Sequence, residues 1–73
     1  MDLNRIVYMA NQIADFFNAY PKNEAINATK EHFEKYWDPR MRKTLYRHLS
    51  DGGKGLSQVA FEASKKIDMN KLK

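Results

Sequence analysis

Seventy-three residues totalling 8.6 kDa, with thirteen Lys and Arg against nine Asp and Glu and a net charge of +4, describe one small basic domain. A chain of this size buries only about 60% of its unfolded surface, so apolar burial barely exceeds chain entropy and a partner or self-association is expected. The absence of Cys excludes disulfides and thiolate chemistry, and apolar runs too short for a spanning helix or a signal peptide make the cytoplasm the expected compartment.

Pro21, Asp38-Pro39 and the Ser50 to Gly55 segment punctuate the sequence into four stretches of helical length, none of which alternates with period two. The reading is all-α: a small three- to four-helix bundle with short connections, helices at about 2–19, 23–36, 39–49 and 57–67, and a frayed tail at 68–73. In the first stretch Leu3, Ile6, Ala10, Ile13, Phe17 and Tyr20 form one seam, and Asp2 is placed to cap it. Val7 and Ala14 widen the seam on one side and Met9 and Phe16 on the other, to an apolar arc of about 180°. One neighbour does not cover such an arc. Tyr8 falls on the polar side, so Tyr8, Met9 and Phe16 form a candidate patch for another chain.

Pro21 ends the first helix, and Asn23 is the expected N-cap of the second. Ile26, Thr29, Phe33, Tyr36 and Trp37 fall on one strongly aromatic face, with Glu24 in the first turn and Lys35 in the last, as the helix dipole prefers. Trp37 reads as core filler ahead of interface anchor. Asp38-Pro39 is the sharpest local signal, an Asp at N-cap followed by a Pro that gives up only an unpartnered amide. Met41, Leu45, His48 and Leu49 then face inward, Arg40, Lys43 and Arg47 cluster within about 60° on the far side, and Arg42 and Tyr46 line a flank. Gly52, Gly53 and Gly55 permit positive φ and end this helix. Ser57 caps a fourth, with Leu56 and Phe61 at the spacing of a hydrophobic staple and Val59, Ala60, Ala63 and Ile67 continuing the buried stripe.

Charge is uneven: residues 1–38 hold four basic and six acidic side chains, residues 39–73 nine and three. The basic half suits an acidic protein surface or a polyphosphate. His32 and His48 lie on different helices without the spacing of a metal site, and Glu31 and Glu34 read as solvated charges, so no catalytic or metal-binding residue is assigned. The Gly52-Gly53-Lys54-Gly55 segment lacks the spacing and the preceding strand of a phosphate-binding loop. Arg40, Lys43 and Arg47 are laid out like a DNA recognition helix, which makes a small nucleic-acid-binding protein the alternative reading. Against it, Asp38-Pro39 is too short for such a turn, and residues 40–49 contain no Asn or Gln to read bases.

Four segments taken together carry a family resemblance: Asn11-Gln12-Ile13-Ala14-Asp15-Phe16-Phe17, Tyr36-Trp37-Asp38-Pro39-Arg40-Met41-Arg42, His48-Leu49 and Gly52-Gly53-Lys54-Gly55-Leu56. In order and spacing they resemble the delta subunit of soluble NAD-dependent formate dehydrogenase over most of residues 9–60. The resemblance implies a non-catalytic accessory subunit supporting assembly, stability or cofactor insertion of the large catalytic subunit of a molybdenum enzyme. Molybdopterin, iron-sulfur clusters, flavin and NAD would sit on other subunits and none on this chain. Arg40, Arg42, Lys43 and Arg47 are then the candidate contacts to partner carboxylates, with Arg42 alternatively bracing the turn against Asp38. Tyr8, Met9 and Phe16 would meet the large subunit, or a second copy when the protein is isolated. Trp37, Asp38, Pro39, Met41, Gly52, Gly53 and Gly55 are structural in this reading.

Overall fold

The computed structural model describes residues 2–67, so the expected frayed tail lies outside the described residues. Four helices follow one another, α1 (Leu3–Phe17), α2 (Lys22–Tyr36), α3 (Pro39–Ser50) and α4 (Gln58–Lys65), with no strand among the described residues. Each junction has a local chemical cause. The Asp2 carboxylate accepts from the Asn4 amide at 3.1 Å and starts α1. Asp38 accepts from the Met41 amide at 2.9 Å, with Pro39 opening α3, and the Ser57 hydroxyl accepts from the Ala60 amide at 3.3 Å to open α4. Together these caps satisfy amides that a helix start leaves without partners.

The second helix departs from expectation. Asn23 lies inside α2, whose N-cap position is Pro21, and no side chain caps it. Pro21 is compatible with this role because its carbonyl accepts from the Ala25 amide at 2.9 Å while its fixed φ of −52° leads into the helix. Likewise α1 stops at Phe17, two residues short of the expected end, with the Tyr20 amide turned back on the Phe17 carbonyl at 3.0 Å. Tyr20 therefore leaves the seam and is 54% exposed.

Ile6, Ala10, Ala14, Ile26, Phe33, Trp37, Leu45, Ala60, Ala63 and Ile67 form the core, with Met9, Ile13, Met41, Leu56 and Val59 packed on it. The Phe33 and Trp37 rings meet at 4.6 Å within that core. The most extensive helix pair is α2 with α4. Both contribute buried small side chains, Ala25 and Thr29 from one and Ala60, Ala63 and Ser64 from the other. The two buried hydroxyls are satisfied one turn back, Thr29 on the Ala25 carbonyl and Ser64 on the Ala60 carbonyl, each at 2.7 Å.

After α3 the chain turns on glycine. The Gly53 amide donates to the His48 carbonyl at 2.9 Å and the Gly52 amide to the Leu49 carbonyl at 3.0 Å, the paired bonds of a Schellman cap. The positive φ that such a cap takes at the residue after Asp51 is that of Gly52, +113°; Gly53, which follows, has φ of +65°, and a Cβ there would lie 2.7 Å from the Phe61 ring. Two side chains pin the segment that follows. Asn11 Nδ2 donates to the Gly55 carbonyl at 2.8 Å while its Oδ1 accepts from the Ser57 amide at 2.9 Å. From α3, His48 Nε2 lies 2.7 Å from the Lys54 carbonyl. Asn11 is thus a tie between α1 and the α3–α4 connection.

Candidate docking surfaces

The body measures 29 × 24 × 18 Å. Its concavities are shallow, and two features distinguish its surface. The first crosses from the end of α1 to α2. Phe16 packs edge-on against Phe17 at 5.0 Å, Phe17 against the His32 ring at 6.4 Å, and His32 against Tyr36 at 4.8 Å, with Tyr20 6.3 Å from Phe17. The outer rings are open to solvent, Phe16 at 74% and Tyr36 at 68% exposure, while Phe17 and His32 between them are half-buried. Phe17 and His32 form the shared wall of two hollows, one bounded by Gln12, Ile13 and Phe16, the other by Ala28, Lys35 and Tyr36. Burial against these neighbours lowers the His32 pKa from its ordinary value, favouring the neutral ring.

Tyr36 was expected on the buried face of α2 and instead points outward. Phe33 and Trp37 fill the core side at the end of α2, and Tyr36 in its last turn lies outside beside Lys35, whose ammonium is 6.0 Å from the ring centroid. The grouping of Tyr8, Met9 and Phe16 also separates. Phe16 joins the ring ladder, Met9 packs on the core, and Tyr8, 64% exposed, stands two helical turns from Phe16 with no ring partner among the described residues.

The second feature is basic. Arg40, Lys43 and Arg47 line one open groove of about 450 Å³ with Asp38 and Thr44. Among the described residues none of the three cations has a carboxylate within ion-pair distance, whereas Lys30 pairs with Glu34 and Lys65 with Glu62.

Arg42 does not belong to this groove. Its side chain is buried, 6% exposed, and Nη1 donates to the Glu34 carbonyl at 2.9 Å. That carbonyl is among the last of α2 and has no helical partner, so the guanidinium caps α2 from the following helix. The expected pairing with Asp38 is replaced as the brace, because the Asp38 carboxylate already serves the Met41 amide. A buried arginine anchored to its own backbone is not presented to a partner.

A family model describing the NADH-dependent formate dehydrogenase delta subunit FdsD matches residues 5–64, reaching from the first turn of α1 to the last turn of α4. The chain belongs to this delta-subunit family. No curated protein and no solved structure matches it. Against the geometry, the segments that mark a delta subunit in this sequence serve mainly the helix junctions. Trp37 fills the core, Asp38 and Pro39 start α3, Met41 packs on the core, and Gly52, Gly53 and Gly55 adopt φ of +113°, +65° and +90°. The exposed rings and the basic groove are surfaces that this delta-subunit frame holds outward. No helix of the described residues is long and apolar enough to cross a membrane.

Proposed function

We propose that this chain is a non-catalytic, cytoplasmic subunit that docks on the large catalytic chain of a formate dehydrogenase and supports its assembly and stability. The observation that carries the reading is the ring ladder Phe16, Phe17, His32 and Tyr36, whose outer rings Phe16 and Tyr36 stand open to water beside the half-buried Phe17 and His32. Aromatic side chains of this kind supply large contact area at low entropic cost and dominate interface energetics. Family membership supports a formate dehydrogenase complex as the setting, since a delta subunit is part of a complex.

Redox chemistry would reside on the other subunits. Iron-sulfur clusters are held chiefly by cysteine thiolates, and the sequence has no Cys. Among the described residues no group of three or more His, Asp or Glu gathers to hold a metal ion.

The test is reconstitution of the complex from a preparation lacking this subunit, with the wild-type chain and with Phe16→Ser and Tyr36→Ser. Both positions are solvent-exposed, so the variants keep their far-ultraviolet circular dichroism. Each is expected to bind the complex at least tenfold more weakly, the loss associated with an interface hot spot. Full-strength binding by the double variant refutes the ladder as the docking face. Sedimentation of the isolated wild-type and double-variant chains shows in addition whether the same rings hold two copies together.

A further inference from the structure

The basic groove on α3 is not absorbed by the ring ladder, and its charge order is specific. Along one face of the helix stand Arg40, Lys43 and Arg47, at spacings of three and four residues over about 10 Å. Asp38 lines the groove at the start of this run. Asp51 follows at the far end, sharing a neighbouring hollow with Thr44 and Arg47. The Thr44 hydroxyl is occupied, donating to the Arg40 carbonyl at 2.9 Å, so the cations are the groove's open donors. The face therefore reads acid, three bases, acid.

The geometry points to an acidic helix of the catalytic subunit as the occupant, with carboxylates at the same three-and-four spacing opposite Arg40, Lys43 and Arg47. This rests on the docking reading above and adds a second contact to it. Spacing supports a helix, because a partner helix repeats its own side chains at the interval at which α3 repeats its cations. Guanidinium groups at both ends of the run suit bidentate pairing with carboxylates. The terminal carboxylates decide against a nucleic acid. A phosphate backbone is a continuous polyanion and would meet Asp38 and Asp51 at the two ends of the run, whereas a peptide helix can end its acidic stretch. The groove also offers no aromatic ring on which a base could stack.

The experiment uses the full chain and the formate dehydrogenase complex lacking it, with affinity measured over a salt series for wild type, for the triple variant Arg40→Gln, Lys43→Gln, Arg47→Gln, and for Phe16→Ser. Carbodiimide coupling, which joins an amine to an adjacent carboxylate, reads the environment of Lys43 in the assembled complex. The triple variant is expected to bind about tenfold more weakly near 0.15 M salt and with a much flatter salt dependence, through slower association. Phe16→Ser is expected to bind weakly with its salt dependence intact, and Lys43 is expected to couple to an Asp or Glu of the catalytic chain. An unchanged salt dependence in the triple variant, or Lys43 left uncoupled, overturns the inference while leaving the docking reading in place. Failure of the wild-type chain to bind the complex overturns both. Titration with duplex and single-stranded DNA is the remaining arm: binding as tight as to the complex, lost in the triple variant, assigns the groove to nucleic acid instead.

Discussion

Gly53→Ala is the substitution from which the most can be learned about how α3 hands over to α4. Two costs add at this position. A φ of +65° is open to glycine but costs an L-residue about 1–2 kcal/mol. The new methyl would also lie 2.7 Å from Phe61 Cδ2 and Cε2, against the 3.5–4.0 Å at which carbon atoms rest, with Leu49 Cδ1 behind it at 3.4 Å. The ring must move by nearly 1 Å, an overpacking cost of about 1–3 kcal/mol. Loss of glycine freedom in the unfolded chain returns about 0.4–1 kcal/mol. The net is a destabilisation of about 2–4 kcal/mol, a large part of what a domain of this size holds. Urea unfolding followed by circular dichroism measures it. The same substitution in a Phe61→Leu background isolates the collision. There its cost should fall to the backbone part, about 1–2 kcal/mol, and the double-mutant cycle should show the difference as coupling. An identical cost in both backgrounds would show that Gly53 is not there to make room for the ring.

Asn11→Ala removes both ties to the α3–α4 connection and leaves the Ser57 amide part-buried without its acceptor, so a loss of about 1–3 kcal/mol is expected in the same assay. Asn11→Asp keeps that acceptor but sets a carboxylate oxygen against the Gly55 carbonyl oxygen in place of the donor, so it should recover little of the loss. Arg42→Met removes a charged cap from the end of α2 and should cost about 1.5–3 kcal/mol, while Arg40→Met on the surface should be nearly silent; equal effects would contradict the assignment of Arg42 to the fold. The His32 pKa lies below its unfolded value of 6.5, so on acidification the unfolded chain takes the proton first. Stability is accordingly full above pH 6.5 and declines as pH falls toward the folded pKa. His32→Gln should flatten that part of the profile. Docking through the ring ladder should weaken over the same range, because the charged ring must be desolvated beside Phe17 and Tyr36.

What was legible in the sequence follows the range of the interaction. Asp2, Asp38 and Ser57 cap amides two or three residues away, and the glycines act on their own φ, so the starts of α1, α3 and α4 and the end of α3 can be read from neighbouring letters. Arg42 could not be read this way. It donates to a backbone carbonyl on the preceding helix, which carries no residue signature, so its structural role was legible only as a brace on Asp38 beside a partner contact. The ring ladder was half visible. Phe16 was placed on a flank open to another chain, but helical spacing put Phe17 in the α1 seam and Tyr36 on the inner face of α2, and only the packing of α1 on α2 brings His32 between them. Arg40, Lys43 and Arg47 share the open groove that helical periodicity predicts, since exposure on one helix needs no knowledge of a second.

The Asn11 clamp has a consequence in time. Its two bonds span 44 and 46 residues, so α1, made before the other three helices, receives its tether from a segment made much later. At synthesis rates of about 5–20 residues per second, the interval is roughly 2 to 9 s, far longer than a helix needs to form or a small chain to collapse. During that interval α1 lacks both the connection that anchors it and the cover of α4. A nascent chain arrested after α3 should therefore expose α1 to protease, and protection should appear only once Gly55 and Ser57 have left the ribosome.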